Sequence, residues 1–294
     1  MPSPDQPDRG VVSVEALYSA DTEGGHLPQD CRVVEEDALL LDIEGVGHYT
    51  LMWTPTGVDK IAHGYTFEDG VLGEIEEPEG LALALGFALS EGLISDLRDL
   101  KSVAVCPERA GVVRVQLQAP ESVTAHRRNV VVNSSCGICG PHEILEDNAL
   151  GLARLADTLR LPRGKFPELM AQMRQRQHIF RETGGSHAAA IFDARGEIVA
   201  VAEDLGRHNA LDKAIGLALL ERGSVQGCGV LLSSRLSLEL VIKAVRTGLE
   251  IMLAVSAPTS LAIEVAERFG VTLCGFVRDS RATIYTHPTR ITPT

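Results

Sequence analysis

The 294-residue chain is short of cysteine, aromatic side chains and positive charge, and it has no long apolar run. Each shortage excludes something. Six cysteines, Cys31, Cys106, Cys136, Cys139, Cys228 and Cys274, are too few and too scattered for a disulfide framework. Such usage suits a reducing compartment, so the expected location is the cytoplasm. No stretch reaches the ~18 consecutive apolar residues of a membrane-spanning helix. The opening "MPSPDQPDRG" lacks the basic start and apolar core of a secretory signal and reads as a loose tail.

Positive charge is scarce in one half only. Residues 1–100 hold 21 Asp and Glu against 4 Lys and Arg, a balance of -17, while residues 101–294 hold 19 against 23, or +4, giving -13 for the chain. A nucleic-acid partner would need a basic footprint to neutralise phosphates, and none is expected here. A mildly basic second half still suits a small polyphosphate ligand. The 45% hydrophobic content is enough for a sizeable core.

Several patterns stand out. "ALLLDIEG" and "HYTLMW" read as strands around turn glycines. "GYTFEDGVL" and "GFALSEGLI", 22 positions apart, share a pattern expected of helix ends closing on Gly70 and Gly92, with the acidic "GEIEEPEG" between them. "SVAVCPE" and "GVVRVQLQAP" predict strands, and "EILEDNALGLARLADTLR" predicts a helix. From residue 183 the chain becomes regular. "HAAAIFDARGEIVAVAED" predicts a β-hairpin, and then helices and strands alternate to the end. This alternation predicts βαβ units and a mainly parallel sheet. Ligands on such sheets gather at the carboxyl ends of strands, here "SSR", "SAPTS" and "RDSR".

Three clusters could carry chemistry. In "VVVNSSCGICGPHE", Cys136 and Cys139 stand three positions apart among glycines. Structural zinc would need more ligands than this pair, and a second C-x-x-C is missing, leaving only a lone cysteine plus His142. Deaminase-type zinc would need an H-x-E that occurs nowhere in the chain. A redox dithiol, a sulfur-carrying persulfide and an inert pair all stay open. Arg127, Arg128 and His142 are the neighbours that could lower a thiol pKa. In "ETGGSHAAA" and "AEDLGRHNALDKAIG", Gly184 and Gly185 allow close approach to an anion. Arg207, His208, Asn209, Asp212 and Lys213 bring donors and acceptors to a helix N-terminus. The bland alternative makes Asp204 and Asn209 capping residues and His187 a half-buried core histidine. In "GFVRDSRATIYTHP", Arg278 and Arg281 beside Ser280 could grip phosphate oxygens.

"SSCGICG", "TGGSHAAA", "EDLGRHNALDKAIG", "SSRLSLELVIKA", "AVSAPTSLAIEVAE" and "GFVRDSRATIYTHP", in that order, resemble the formate dehydrogenase accessory sulfurtransferase (FdhD/NarQ) family, with weaker support upstream in "MWTP" and "LGFALSEGLI". The resemblance implies an α/β protein. Its C-terminal part, 183–294, would be a cytidine-deaminase-like mixed, mainly parallel sheet with helices on both faces. A smaller acidic α+β subdomain would occupy 1–128, its first 12 residues a loose tail, and 129–182 would hold the C-x-x-C loop and connecting helices.

It also implies a homodimeric sulfurtransferase that takes sulfur from a cysteine desulfurase and passes it to bis-molybdopterin guanine dinucleotide for the formate dehydrogenase catalytic subunit. No nucleic acid, membrane or structural metal is expected. Carried over by position, Cys136 bears the persulfide and Cys139 is its partner. Phe276, Val277, Arg278, Asp279, Ser280 and Arg281 contact the cofactor, with His187, Arg207 and His208 as further contacts. Ser280 stands where family members often have glycine.

Overall fold

A computed structural model describes residues 9–19, 26–56, 64–66, 79–106, 109–123, 130–132 and 151–293. Cys136, Cys139, His142, Arg127, Arg128 and Gly70 lie outside the described residues. Two sheets sandwich a layer of helices. The first sheet is built from β3 (Asp37–Ile43), β4 (Gly47–Trp53), β5 (Gly64–Thr66), β6 (Leu100–Cys106), β7 (Arg109–Leu117) and β8 (Val130–Val132), in the order β5-β6-β7-β3-β4-β8. Alternation decides its inner face: Leu39, Leu41 and Ile43 on β3 and Tyr49, Leu51 and Trp53 on β4 are buried. Helix α1 (Glu79–Ser90) covers that face and is buried from Leu81 to Ser90. A helix apolar all round must be covered on every side. Its second cover comes from the other half of the chain.

Before this sheet, β1 (Val11–Ser19) and β2 (His26–Val34) form a separate antiparallel ribbon. The loose-tail expectation for 1–12 therefore fails at its last residues, where β1 starts and the Gly10 N–H donates to Glu35. At Gly64–Thr66 the chain is strand β5 beside β6, not helix, so the first copy of the "GYTFEDGVL" pattern does not match the second. The second copy does close the end of α1, with Gly92 at φ 74°.

Short strand β9 (Leu161–Pro162), α2 (Phe166–Arg176) and α3 (His178–Thr183) lead to the second sheet. It contains β10 (His187–Phe192), β11 (Ile198–Asp204), β12 (Gly229–Leu232), β13 (Ile251–Ala254), β14 (Thr272–Arg278) and β15 (Arg281–Ile284), in the order β11-β10-β12-β13-β14-β15. Helices α4 (Arg207–Arg222), α5 (Leu238–Thr247) and α6 (Ser260–Phe269) line one face. Helix α2 covers the other through Phe166, Leu169, Met170 and Met173. The final strand β16 (Ile291–Thr292) pairs with β9.

The sheet is mixed, and the expectation that it is mainly parallel is corrected. Only β12 with β13 and β13 with β14 run parallel; β10 is antiparallel to both neighbours, as β15 is to β14. The β10–β11 hairpin is the cause. It places β10 inside the sheet with reversed direction, leaving β12-α5-β13-α6-β14 as the parallel βαβαβ run.

A second correction concerns residues 152–160, expected as helix and found irregular. Tertiary bonds replace the helical ones there. The buried Glu250 carboxylate accepts the Thr158 and Leu159 N–H groups, the Leu155 N–H donates to Phe269 O, and Arg290 Nη2 donates to Ala156 O. Among the described residues no helix is long and apolar enough to cross a membrane.

A cluster of basic side chains at one end of the second sheet

One end of the second sheet collects most of the candidate residues. His187 opens β10, and its register partner across the hairpin is Asp204, the last residue of β11. The Ala188 N–H donates to Ser233 Oγ at 2.9 Å, which draws the turn after β12, with Ser234 and Arg235, onto the start of β10. Helix α4 begins at Arg207, two residues beyond Leu205, and α5 begins at Leu238 behind Ser237. His208 Nε2 lies 2.8 Å from Glu239 Oε2, an ion-pair distance without hydrogen-bond alignment, so the first turns of α4 and α5 face each other.

Burial, then the positive charge of Arg207, His208 and Arg235, holds the His187 imidazole below its ordinary pKa, against an opposing pull from Asp204. The Glu239 carboxyl is held low chiefly by His208 beside it. Arg207, Arg235 and Arg281 have no side-chain hydrogen bond or ion pair among the described residues. Ser237 Oγ is buried and unpartnered, although Ser237 is the N-cap of α5.

The cluster rests on a buried polar frame. Asp204, fully buried, accepts from the Thr54 N–H at 3.0 Å, the Gly206 N–H at 2.9 Å and Asn209 Nδ2 at 3.2 Å, and pairs with Lys213 Nζ at 2.9 Å. Lys213 is equally buried and stands 4.8 Å over the Trp53 ring. Asp212 pairs instead with Lys243 at 2.8 Å and accepts from Ser90 Oγ. Of the polar residues read from "GRHNALDK", Asn209, Asp212 and Lys213 are therefore used inside the fold. Arg207 and His208 stay at the sheet end. Gly184, at φ 66°, closes α3, and Gly185 packs against Val34. These two glycines serve the backbone.

The β14–β15 hairpin stands at the same end, beside the carboxyl end of β13. Phe276 has φ 53° and is 50% exposed, and its N–H donates to Ser256 O at 3.1 Å. A bulky residue held in that backbone region carries a cost of roughly 1–3 kcal/mol, and such strain clusters at ligand clamps. Buried Val277 anchors the segment. Arg278 Nη1 donates to Val255 O and to Val277 O, so this guanidinium is turned back onto the strand end. Asp279, at φ 51°, and Ser280 make the turn, and Arg281 is exposed. Arg235 was legible only as part of a strand-end segment; its position against His187 comes from the β10–β12 pairing.

The described cysteines differ in environment. Burial pushes the Cys274 thiol up to about 12 and raises that of Cys228, so neither supplies a thiolate near neutral pH.

A sequence profile of the FdhD/NarQ family matches residues 78–292. A protein of Bordetella bronchiseptica named sulfur carrier protein FdhD is 39% identical over 268 residues, covering 90% of this chain and 88% of that one. A protein of the same name from Sulfurisphaera tokodaii is 41% identical over 210 residues, covering 71% and 79%. The crystal structure of a putative formate dehydrogenase accessory protein from Desulfotalea psychrophila superposes with a TM-score of 0.69 at 22% identity, over 95% of this chain and 99% of that one. At that identity the superposition speaks for a shared fold.

Proposed function

Because this chain belongs to the FdhD/NarQ family, we propose that it is a cytoplasmic sulfur carrier serving formate dehydrogenase. The name shared by relatives at 39% and 41% identity carries this reading. The Cys136 thiolate attacks the outer sulfur of a cysteine desulfurase persulfide, the donor's cysteine leaves as thiolate, and Cys136 keeps the sulfur as a persulfide. Cys139 then attacks Cys136 Sγ, releasing the outer sulfur as sulfide to the acceptor and leaving a Cys136–Cys139 disulfide for a thiol reductant to reopen. The acceptor is the substrate bis-molybdopterin guanine dinucleotide, destined for the formate dehydrogenase catalytic subunit, and the working form is a homodimer.

The chemistry of the sheet end supports a dinucleotide substrate. Arg207, Arg235 and Arg281 offer unpaired guanidinium groups for phosphate oxygens, and Phe276 offers an exposed ring for a planar base. The strand order, with β10 antiparallel inside the sheet, supports the cytidine-deaminase-like arrangement that the family resemblance implies.

Intact-protein mass spectrometry after incubation with a cysteine desulfurase and cysteine tests the reading. The expected result is a gain of one sulfur atom that disappears in Cys136→Ala. A chain that only holds and delivers the cofactor is the second reading, favoured by Arg207, Arg235 and Arg281, which have no side-chain partner among the described residues and suit binding alone. It would be upheld if Cys136→Ala/Cys139→Ala still yielded active formate dehydrogenase.

A further inference from the structure

We propose that the outward face of the β1–β2 ribbon is the surface through which two copies of this chain associate. This rests on the homodimer reading above and names the contact within it. The two strands pair antiparallel along their whole length, from Val11 opposite Val34 to Ser19 opposite His26. Alternation therefore sorts the side chains cleanly. Val12, Val14 and Tyr18 of β1 share one face with Val33, Cys31 and Leu27 of β2, and Ala16 and Gln29 complete it. That face carries no charged side chain. Glu15, Asp30, Arg32 and His26 all stand on the other.

The charged face is the one held against the fold. Arg32 pairs with Glu182 of α3 at 2.7 Å, and Val34 packs on Gly185. The apolar face is left in water: Val12, Val14, Tyr18, Leu27 and Val33 are five of the nine large hydrophobic side chains exposed among the described residues. A two-stranded ribbon is marginal on its own, and a contiguous exposed apolar patch marks a contact surface. This one lies outside residues 78–292, the part that the family profile matches.

Its chemistry selects the occupant. A charged or hydrogen-bonding surface would give up its water against this face without gaining partners, so the cover must be apolar and uncharged. The other four exposed hydrophobics, Leu17, Phe180, Phe276 and Ile284, stand on the opposite face or on other elements, so the matching cover on this chain is the same face of a second copy. A two-fold axis puts identical patches together, and two ribbons stacked face to face interleave their side chains as sheets do in a sandwich. Charge favours contact at this place: residues 1–100 carry a balance of -17, which opposes two copies wherever acidic groups meet. Each strand spans roughly 30 Å and the pair is roughly 10 Å wide, so each copy contributes a footprint of about 300 Å². Two such footprints fall short of the ~1,200 Å² of a stable interface, so the association is weak and depends on concentration.

Sedimentation of the full chain over a concentration series tests the contact. The average mass of the wild type is expected to rise from one chain toward two, with a midpoint on the order of 10 μM. Val14→Glu and Val14→Lys should each raise that midpoint about tenfold, because a like charge then faces its own copy. An equimolar mixture of the two variants should associate again, since opposite charges then meet. Val14 is exposed, so neither substitution disturbs the core. A mixture that stays at one chain overturns the face-to-face contact. A Val14→Glu mass curve that follows a two-chain wild type overturns it too, while leaving the homodimer reading intact. A wild type that remains a single chain at every concentration overturns both.

Discussion

Gly86 of α1 and Gly216 of α4 meet backbone to backbone: a methyl group on Gly86 would fall inside the Asp212 carbonyl, and one on Gly216 inside that of Ala82. Through this contact the first sheet's helix lies against the helix that carries Arg207 and His208.

Alanine at either glycine should therefore destabilise the chain. The neighbouring atoms are backbone and cannot rotate away, so a loss of at least the ~1–3 kcal/mol typical of overpacking is expected. Urea unfolding measures it. Gly164→Ala, at a site with open space around it, is the control and should change little.

Removing Lys213 should cost more than its position far from solvent suggests. Lys213→Met leaves Asp204 as a buried carboxylate without its cation, a change worth ~3–5 kcal/mol in comparable buried pairs. Adding Asp204→Asn should recover part of the loss, since the residual charge is then gone. If the single and double variants unfold at the same denaturant concentration, the pair does not act as described.

His187 sets a pH dependence with a definite sign. Its folded-state pKa lies below the ordinary 6.5, so near that value the unfolded chain binds a proton that the folded chain refuses. This contribution to stability is complete above pH 6.5 and declines as pH falls toward the folded value. His187→Gln should flatten that part of the melting-temperature profile, and an NMR titration of the wild-type imidazole should show a midpoint below 6.5. A midpoint at or above 6.5 contradicts the crowding of Arg207, His208 and Arg235 around it.

Much of the second half was legible before any coordinates. The run "HAAAIFDARGEIVAVAED" is the β10–β11 hairpin, and the helices ending at Gly223, Gly248 and Gly270 close on those glycines in left-handed conformation. These are local effects: period, turn chemistry and the freedom of glycine at positive φ. That "SSR", "SAPTS" and "RDSR" stand at strand ends also followed from alternating strands and helices, whereas His187 joins them only because β10 runs antiparallel to β12.

What the sequence determined by itself was the set of elements from residue 183 onward, the order of the family motifs and the strand ends where arginines stand. Tertiary structure alone decided which of those charges are spent. Nothing local distinguishes Lys213, locked between Asp204 and Trp53, from Arg207 six residues earlier, which has no partner among the described residues. The irregular path of residues 152–160 and the reversed direction of β10 within its sheet have the same origin. A residue's periodicity states which face it shows, whereas its partner arrives from a remote part of the chain, as Glu250 does for Thr158 and Asp204 does for Thr54.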